Sequence, residues 1–220
     1  MTDFLRAGVL SGVPHGFSTA EGLEADQVLE DAPLVRLKQV HSSIVHCLSE
    51  PWAEPREGDA LVTDRRDLVL GIVTADCAPV LFADREAGVI GAAHAGWRGA
   101  VGGVLENTVR EMVTLGALAK RIRAAIGPTI APKSYEVDLA FRAEFGDDDA
   151  RFFAPGREGH FQFDLPAYVT HRLRLAGLEH VEDLREDTYS QPARFHSYRR
   201  ATHLGADTTG RQLSMIALRA

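Results

Sequence analysis

Apolar positions in this chain fall mainly in short runs, not long helical stripes. Residues 34–48, LVRLKQVHSSIVHCL, are rich in β-branched and apolar side chains and predict a strand, bent at Ser42-Ser43. Residues 50–59, EPWAEPREGD, carry two prolines and a glycine and predict a loop. DLVLGIVT predicts a buried strand. APVLFAD and GVIGAAHAG, joined by the polar REAG, predict an antiparallel hairpin. After GWRG the period changes. Apolar residues at Val101, Val104, Leu105, Val109, Met112 and Val113 predict a helix stopped at Gly116. RIRAAIGP predicts a strand. DLPAYVTHRLRLAG predicts a helix with Asp164 as its cap, Pro166 in the first turn and Gly177 at the end. LSMIALR predicts a closing strand, and residues 144–160, EFGDDDARFFAPGREGH, a surface loop with a solvated Asp147–Asp149 run. Strands come in clusters with helices inserted and no regular βαβ alternation. The pattern predicts an α+β layered sandwich rather than a doubly wound parallel sheet.

With 220 residues and no internal repeat, the chain reads as one domain, 1–220. The net charge of −7, from 24 Lys and Arg against 31 Asp and Glu, argues against a nucleic-acid surface, which needs a basic stripe. No apolar run reaches membrane-span length, and the first residues lack a signal-peptide pattern. Two cysteines, Cys47 and Cys77, exclude a disulfide framework, so the expected location is the cytoplasm.

The hairpin makes a sharper statement. If REAG closes it, facing residues have numbers that sum to 173, so Pro79 faces His94 and Cys77 faces Gly96. Cys77 and His94 then lie diagonally on one face, and a one-residue slip would separate them. A thiolate and an imidazole so placed form two metal ligands or a nucleophile and its base. A third ligand is available from His41, His46, His15, His196 or His203. A Cys, His, His set with an open position describes a catalytic zinc. Plainer readings stand beside this one. A buried Cys is often a small hydrophobe, and a His in AAHAG is often a satisfied core residue. Asp76 also fits a turn former. GWRGAVGG resembles an anion-cradling turn before a helix but also fits close packing.

The blocks QVH, DALVT, TADCAPVLFAD, AAHAGWRGAVGGVLENTV, AAIGPTI…YEV and FHSYRR…GR occur in this order and resemble the YfiH family, also called the polyphenol-oxidase or laccase-domain family. The likeness runs from about residue 38 to the C-terminus. It implies a four-layer α/β/β/α sandwich with mixed sheets. It also implies one metal per chain, usually zinc with copper as the other possibility, held by His41, Cys77 and His94. The activities implied are phosphorolysis of adenosine, inosine, guanosine and methylthioadenosine, and hydrolytic deamination of adenosine. Phenol oxidation on copper, and cysteine-hydrolase or peptidoglycan-precursor editing chemistry, are the alternatives.

Within that reading Asp76 is a candidate for proton transfer or for orienting a ligand. Arg98 is a candidate for holding phosphate or a developing anion. Gln39 and Arg199 are weaker candidates for substrate contact. The expected partners are a small nucleoside and phosphate, without nucleic acid or membrane, for a monomer or homodimer. Three departures stand out. Ala20 replaces an arginine of the family's early HGFSTR block, and the following segment is shortened. Asp187 stands where many members have cysteine, and His196 where Phe is usual.

Overall fold

The computed structural model describes residues 3–52 and 54–219. The first eight strands are β1 (Phe4–Leu5), β2 (His15–Ser18), β3 (Leu34–Arg36), β4 (Val45–Cys47), β5 (Ala60–Thr63), β6 (Val69–Thr74), β7 (Ala78–Asp84) and β8 (Val89–Ala95). Two helices follow, α1 (Trp97–Val101) and α2 (Val104–Thr114), then β9 (Arg123–Ile126), β10 (Glu136–Asp138) and α3 (Leu139–Ala143). The chain continues through β11 (Phe153–Pro155), β12 (His160–Phe163), α4 (Leu165–Leu175), β13 (His180–Asp183), α5 (Tyr198–Leu204) and β14 (Gln212–Ala217).

Two mixed sheets face each other, in the orders β1-β2-β14-β6-β3 and β13-β9-β7-β8-β5-β4. Strand alternation divides their side chains. Leu70, Ile72 and Ile216 of the first sheet meet Leu61, Leu81, Ile90 and Ala92 of the second in one buried layer. On the other face of the second sheet, Val80, Phe82, Ala93 and Ala95 pack against Leu105, Val109 and Met112 of α2 and Val169 and Leu173 of α4. The outer face of the first sheet is covered more thinly. Leu23 and Val28, which flank a single 3-10 turn at Ala25–Gln27, lie over Val69, Met215 and Ala217. A third sheet, β10-β12-β11, packs its aromatic residues beside α3 and α4.

The hairpin has the expected register, with Pro79 opposite His94. Asp164 caps α4 by accepting from Ala167 N–H at 2.9 Å, and Gly177 follows at φ +91°. Three expectations change. Residues 34–48 do not form one bent strand: β3 pairs with β6 in the first sheet and β4 with β5 in the second. The residues between them cross from sheet to sheet. The helix expected from Val101 to Gly116 is two helices, because Gly103 takes a left-handed φ of +93° and restarts it. Residues 144–160 are not a surface loop. They form a 3-10 segment, Asp147–Phe152, then β11, and they bury Phe145, Phe152 and Phe153. Within them Asp147 and Asp148 are exposed.

A candidate metal centre at the mouth between the sheets

Cys77 immediately precedes β7 and His94 is the penultimate residue of β8, on the face that packs toward the first sheet. There the crossover from β3 to β4 passes overhead and brings in His41, at φ +61°. Gln39 anchors this crossover to the first sheet: its amide donates to the Val73 carbonyl at 2.7 Å and accepts from Val73 N–H at 2.9 Å. The ligand atoms of His41, Cys77 and His94 all lie within 4.8 Å of one another. Cys77 Sγ stands 3.9 Å from His41 Nε2. Among the described residues no other group of three or more His, Cys, Asp or Glu side chains is arranged to hold a metal. The remaining histidines are elsewhere. His46 bonds the Glu57 carbonyl at 2.8 Å, His203 meets the Tyr189 hydroxyl at 3.0 Å, His15 is deep in the core, and His196 lies against Gly210.

The donor set fits a divalent ion such as zinc: one sulfur and two imidazole nitrogens, short of the four protein ligands that close a structural site. Space fits as well. A Cβ at Gly96 would lie 2.9 Å from Cys77 Sγ and 3.0 Å from His41 Cδ2. Glycine there keeps the three side chains unobstructed.

Asp59 supports this arrangement and was not singled out from the sequence. It is fully buried, and its Oδ1 accepts from His94 Nδ1 at 2.8 Å. Burial alone would raise its carboxyl, yet hydrogen bonds from His94 and Ser42 hold it down at about 2. Burial likewise disfavours the charged forms of Cys77 and His94. The His94 and His41 imidazoles still lower the Cys77 thiol well below its usual range, and the Cys77 thiolate with Asp59 raises His94. The sequence signals for Asp59 are its place at the head of the quoted DALVT block and directly before an apolar run, at the position facing His94 across the β5–β8 ladder.

The triad opens into a cavity of about 750 Å³ also lined by Gln39, Asp76, Trp97, Arg98, Tyr135, Tyr198, Arg199 and Arg211. Asp76 has φ +88° and is 8% exposed. Both its carboxylate oxygens are engaged, by the Thr188 hydroxyl and the Arg199 backbone N–H, each at 2.6 Å. That use favours its orienting role over proton transfer. Arg98 is exposed, with its guanidinium 5.1 Å from the Trp97 ring. The five residues of α1 make its dipole a small contributor, so an anion there would depend on the guanidinium itself. Arg199 donates to the Glu136 carbonyl at 2.7 Å and lies over Tyr135 at 5.1 Å. Burial and the nearby Cys77 push the Tyr135 phenol upward. Tyr135 and Arg211 were also missed: they stand in the quoted YEV and GR segments, but nothing local in the sequence shows that these segments meet at the triad.

Two of the departures from the family blocks, Ala20 and Asp187, sit in defined local contacts, and nothing in the structure explains His196. Ala20 donates its N–H to the Arg194 carbonyl at 2.7 Å, and the Arg194 side chain is paired with Glu186 at 2.9 Å. Asp187 ties residues 131–134 in place, accepting from Ala131 N–H at 3.0 Å and Ser134 Oγ at 2.8 Å.

Comparison with known proteins agrees with this layout. A family model described as multi-copper polyphenol oxidoreductase laccase matches residues 19–219. A purine nucleoside phosphorylase of Rickettsia prowazekii is 38% identical over 187 residues, 83% of this chain and 77% of that protein. One from Deinococcus radiodurans is 44% identical over 185 residues, 83% of this chain and 69% of its own length. The purine nucleoside phosphorylase YfiH of Escherichia coli K12 is 37% identical over 187 residues, covering 84% and 73%. Among solved structures, the hypothetical protein YfiH of Bacillus licheniformis superposes with a TM-score of 0.88 at 25% identity, covering 100% of this chain and 97% of that one.

Proposed function

This chain belongs to the multi-copper polyphenol oxidoreductase laccase family, and from that premise we propose that it is a zinc-dependent purine nucleoside phosphorylase that also deaminates adenosine. One observation carries the reading. The His41, Cys77 and His94 donors share a cavity with three arginines, Arg98, Arg199 and Arg211, and three aromatic side chains, Trp97, Tyr135 and Tyr198. Arginines suit phosphate oxygens, and aromatic faces suit a purine. The names of the relatives point the same way.

In phosphorolysis, a phosphate oxygen forms a bond to C1′ of the ribose while the C1′–N9 bond breaks. The electron pair leaves with the purine, which is then protonated, and ribose 1-phosphate remains. Arg98, at the mouth, grips the incoming phosphate. Arg199, held over Tyr135 by the Glu136 carbonyl, faces the ribose and base. Asp76 fixes the start of α5 and so the position of Arg199. His41, Cys77 and His94 would hold the zinc, which would supply Lewis acidity and, for deamination, an activated water. Phenol oxidation on copper is disfavoured by ligand count, since four-electron reduction of oxygen needs several metal ions and the described residues group one set of donors.

Incubation of purified protein with adenosine, inosine, guanosine and methylthioadenosine, with and without phosphate, tests the reading. The expected products are free base and a pentose 1-phosphate only when phosphate is present, and inosine from adenosine in either case. No turnover of any nucleoside contradicts it.

A second reading has its own observation. Cys77, His94 and Asp59 stand in the order thiol, imidazole, carboxylate, the arrangement of a cysteine hydrolase. Alkylation separates the two. A metal-held Cys77 reacts slowly and speeds up after chelation, whereas rapid alkylation with metal present, together with a covalent substrate adduct, favours the hydrolase.

A further inference from the structure

We propose that Asp59 is a positioning residue whose single buried carboxylate fixes two of the three metal-holding side chains at once. The inference rests on the reading of His41, Cys77 and His94 as metal ligands. Asp59 follows the loop that precedes β5 and stands at the rung beyond the Ala60–Ala93 pair, beside His94. The ladder continues there, since His94 N–H donates to the Asp59 carbonyl at 2.7 Å.

The carboxylate serves two separate pieces of chain. Oδ1 accepts from His94 Nδ1 at 2.8 Å and from His41 N–H at 3.0 Å. Oδ2 accepts from Ser42 N–H at 2.6 Å, Ser42 Oγ at 2.7 Å and Val40 N–H at 3.3 Å. His94 belongs to a central strand, whereas residues 40–42 belong to the crossover between sheets. The crossover has little regular structure of its own. His41 holds a left-handed φ of +61°, a conformation that a non-glycine residue keeps only when its surroundings impose it. Three successive N–H groups converging on one carboxylate provide that constraint with charge-assisted hydrogen bonds. At the other end, the bond to Nδ1 leaves Nε2 of His94 as the nitrogen available to a metal.

Asp59→Asn tests this with little change of shape. An amide has one acceptor oxygen and one donor nitrogen, so keeping the oxygen on the three donors at Oδ2 turns the nitrogen toward His94 Nδ1 and His41 N–H. Zinc affinity, measured by competition with a chromophoric chelator, is expected to fall about 10- to 100-fold. Long-range 1H–15N spectra are expected to show loss of the Nδ1-protonated tautomer of His94 in Asp59→Asn. Circular dichroism establishes that the variant is folded. Should Asp59→Asn not fold, two measurements decide. In zinc-loaded wild type, His94 is expected to carry its proton on Nδ1. Ser42→Ala, which removes one donor, is expected to keep that tautomer and lose only a few-fold in zinc affinity, on the order of one hydrogen bond. Unchanged affinity and tautomer in folded Asp59→Asn overturn the proposal, as does a wild-type His94 protonated on Nε2. Wild-type protein that takes up no zinc overturns the metal reading itself. Uptake by wild type with an unaffected Asp59→Asn removes only the role of Asp59.

Discussion

His15 and His94 are both buried histidines, 4% and 3% exposed, and each has partners on its ring nitrogens. The partners differ. His15 bonds the Val13 carbonyl at 2.7 Å through Nδ1 and accepts the Ala7 N–H at 2.9 Å on Nε2. Backbone groups engage both its nitrogens, and burial pushes its pKa below the usual 6.5. His94 spends one nitrogen on a buried carboxylate and turns the other side of its ring toward Cys77 and His41, with the His41 ring 4.8 Å away. Burial therefore does not distinguish the histidine proposed as a metal ligand from the one held only by backbone groups. The charge of the partner and the freedom of the second nitrogen do.

Substitutions at the two positions break the comparison in different measurements. His94→Ala is expected to lower phosphorolysis by at least about 100-fold, beyond what losing an outer support costs, together with loss of bound zinc. His15→Ala is expected to leave zinc content unchanged but to cost about 2–3 kcal/mol in chemical unfolding. That cost combines a cavity with an unsatisfied Ala7 N–H. Loss of zinc in His15→Ala would erase the distinction.

The pH dependence separates them further. Because folding depresses the pKa of His15, the unfolded chain binds its proton more readily between the folded value and 6.5. The stabilising contribution of neutral His15 is thus complete above 6.5 and declines as pH falls below it, by at most about 1.4 kcal/mol per pH unit. Unfolding curves at pH 7 and pH 5 are expected to show a smaller acid loss in His15→Gln than in wild type. An identical loss in both would mean that His15 protonates as easily in the folded protein as in the unfolded chain.

The smallest effect is expected at the exposed rim. Arg98→Lys keeps the charge but loses the paired donors of the guanidinium, a difference of about 1 kcal/mol or roughly fivefold in phosphate use. Phosphorolysis measured across phosphate concentrations reads this directly. Deamination is expected to change less, and unchanged phosphate dependence removes Arg98 from the site.

The hairpin and its register were legible in the sequence because a four-residue turn between two apolar runs leaves little freedom, and the register placed Cys77 and His94 on one face. Helix α4 was legible through Asp164, Pro166 and Gly177. The passage of residues 37–44 between sheets was not, because alternation reports which face is buried and not which sheet pairs with it. The structure of residues 144–160 was hidden by their charges and glycines. Phe145 and Phe153 only acquire meaning against Phe141, Phe163 and Tyr168, which arrive from other elements. Residue identity alone did not select His41 from five candidate histidines; the family resemblance did, and the crossover places it beside Cys77. Asp59 escaped notice because its carboxylate's partners are one stretch of chain, residues 40–42, and a histidine 35 residues away.

The central claim is that Cys77 completes a metal site with His41 and His94. Elemental analysis of wild type and Cys77→Ala, purified side by side without added metal and without chelator, tests it most directly. About one zinc per wild-type chain is expected, with near-complete loss of zinc from a folded Cys77→Ala. Equal metal in the two proteins would contradict it.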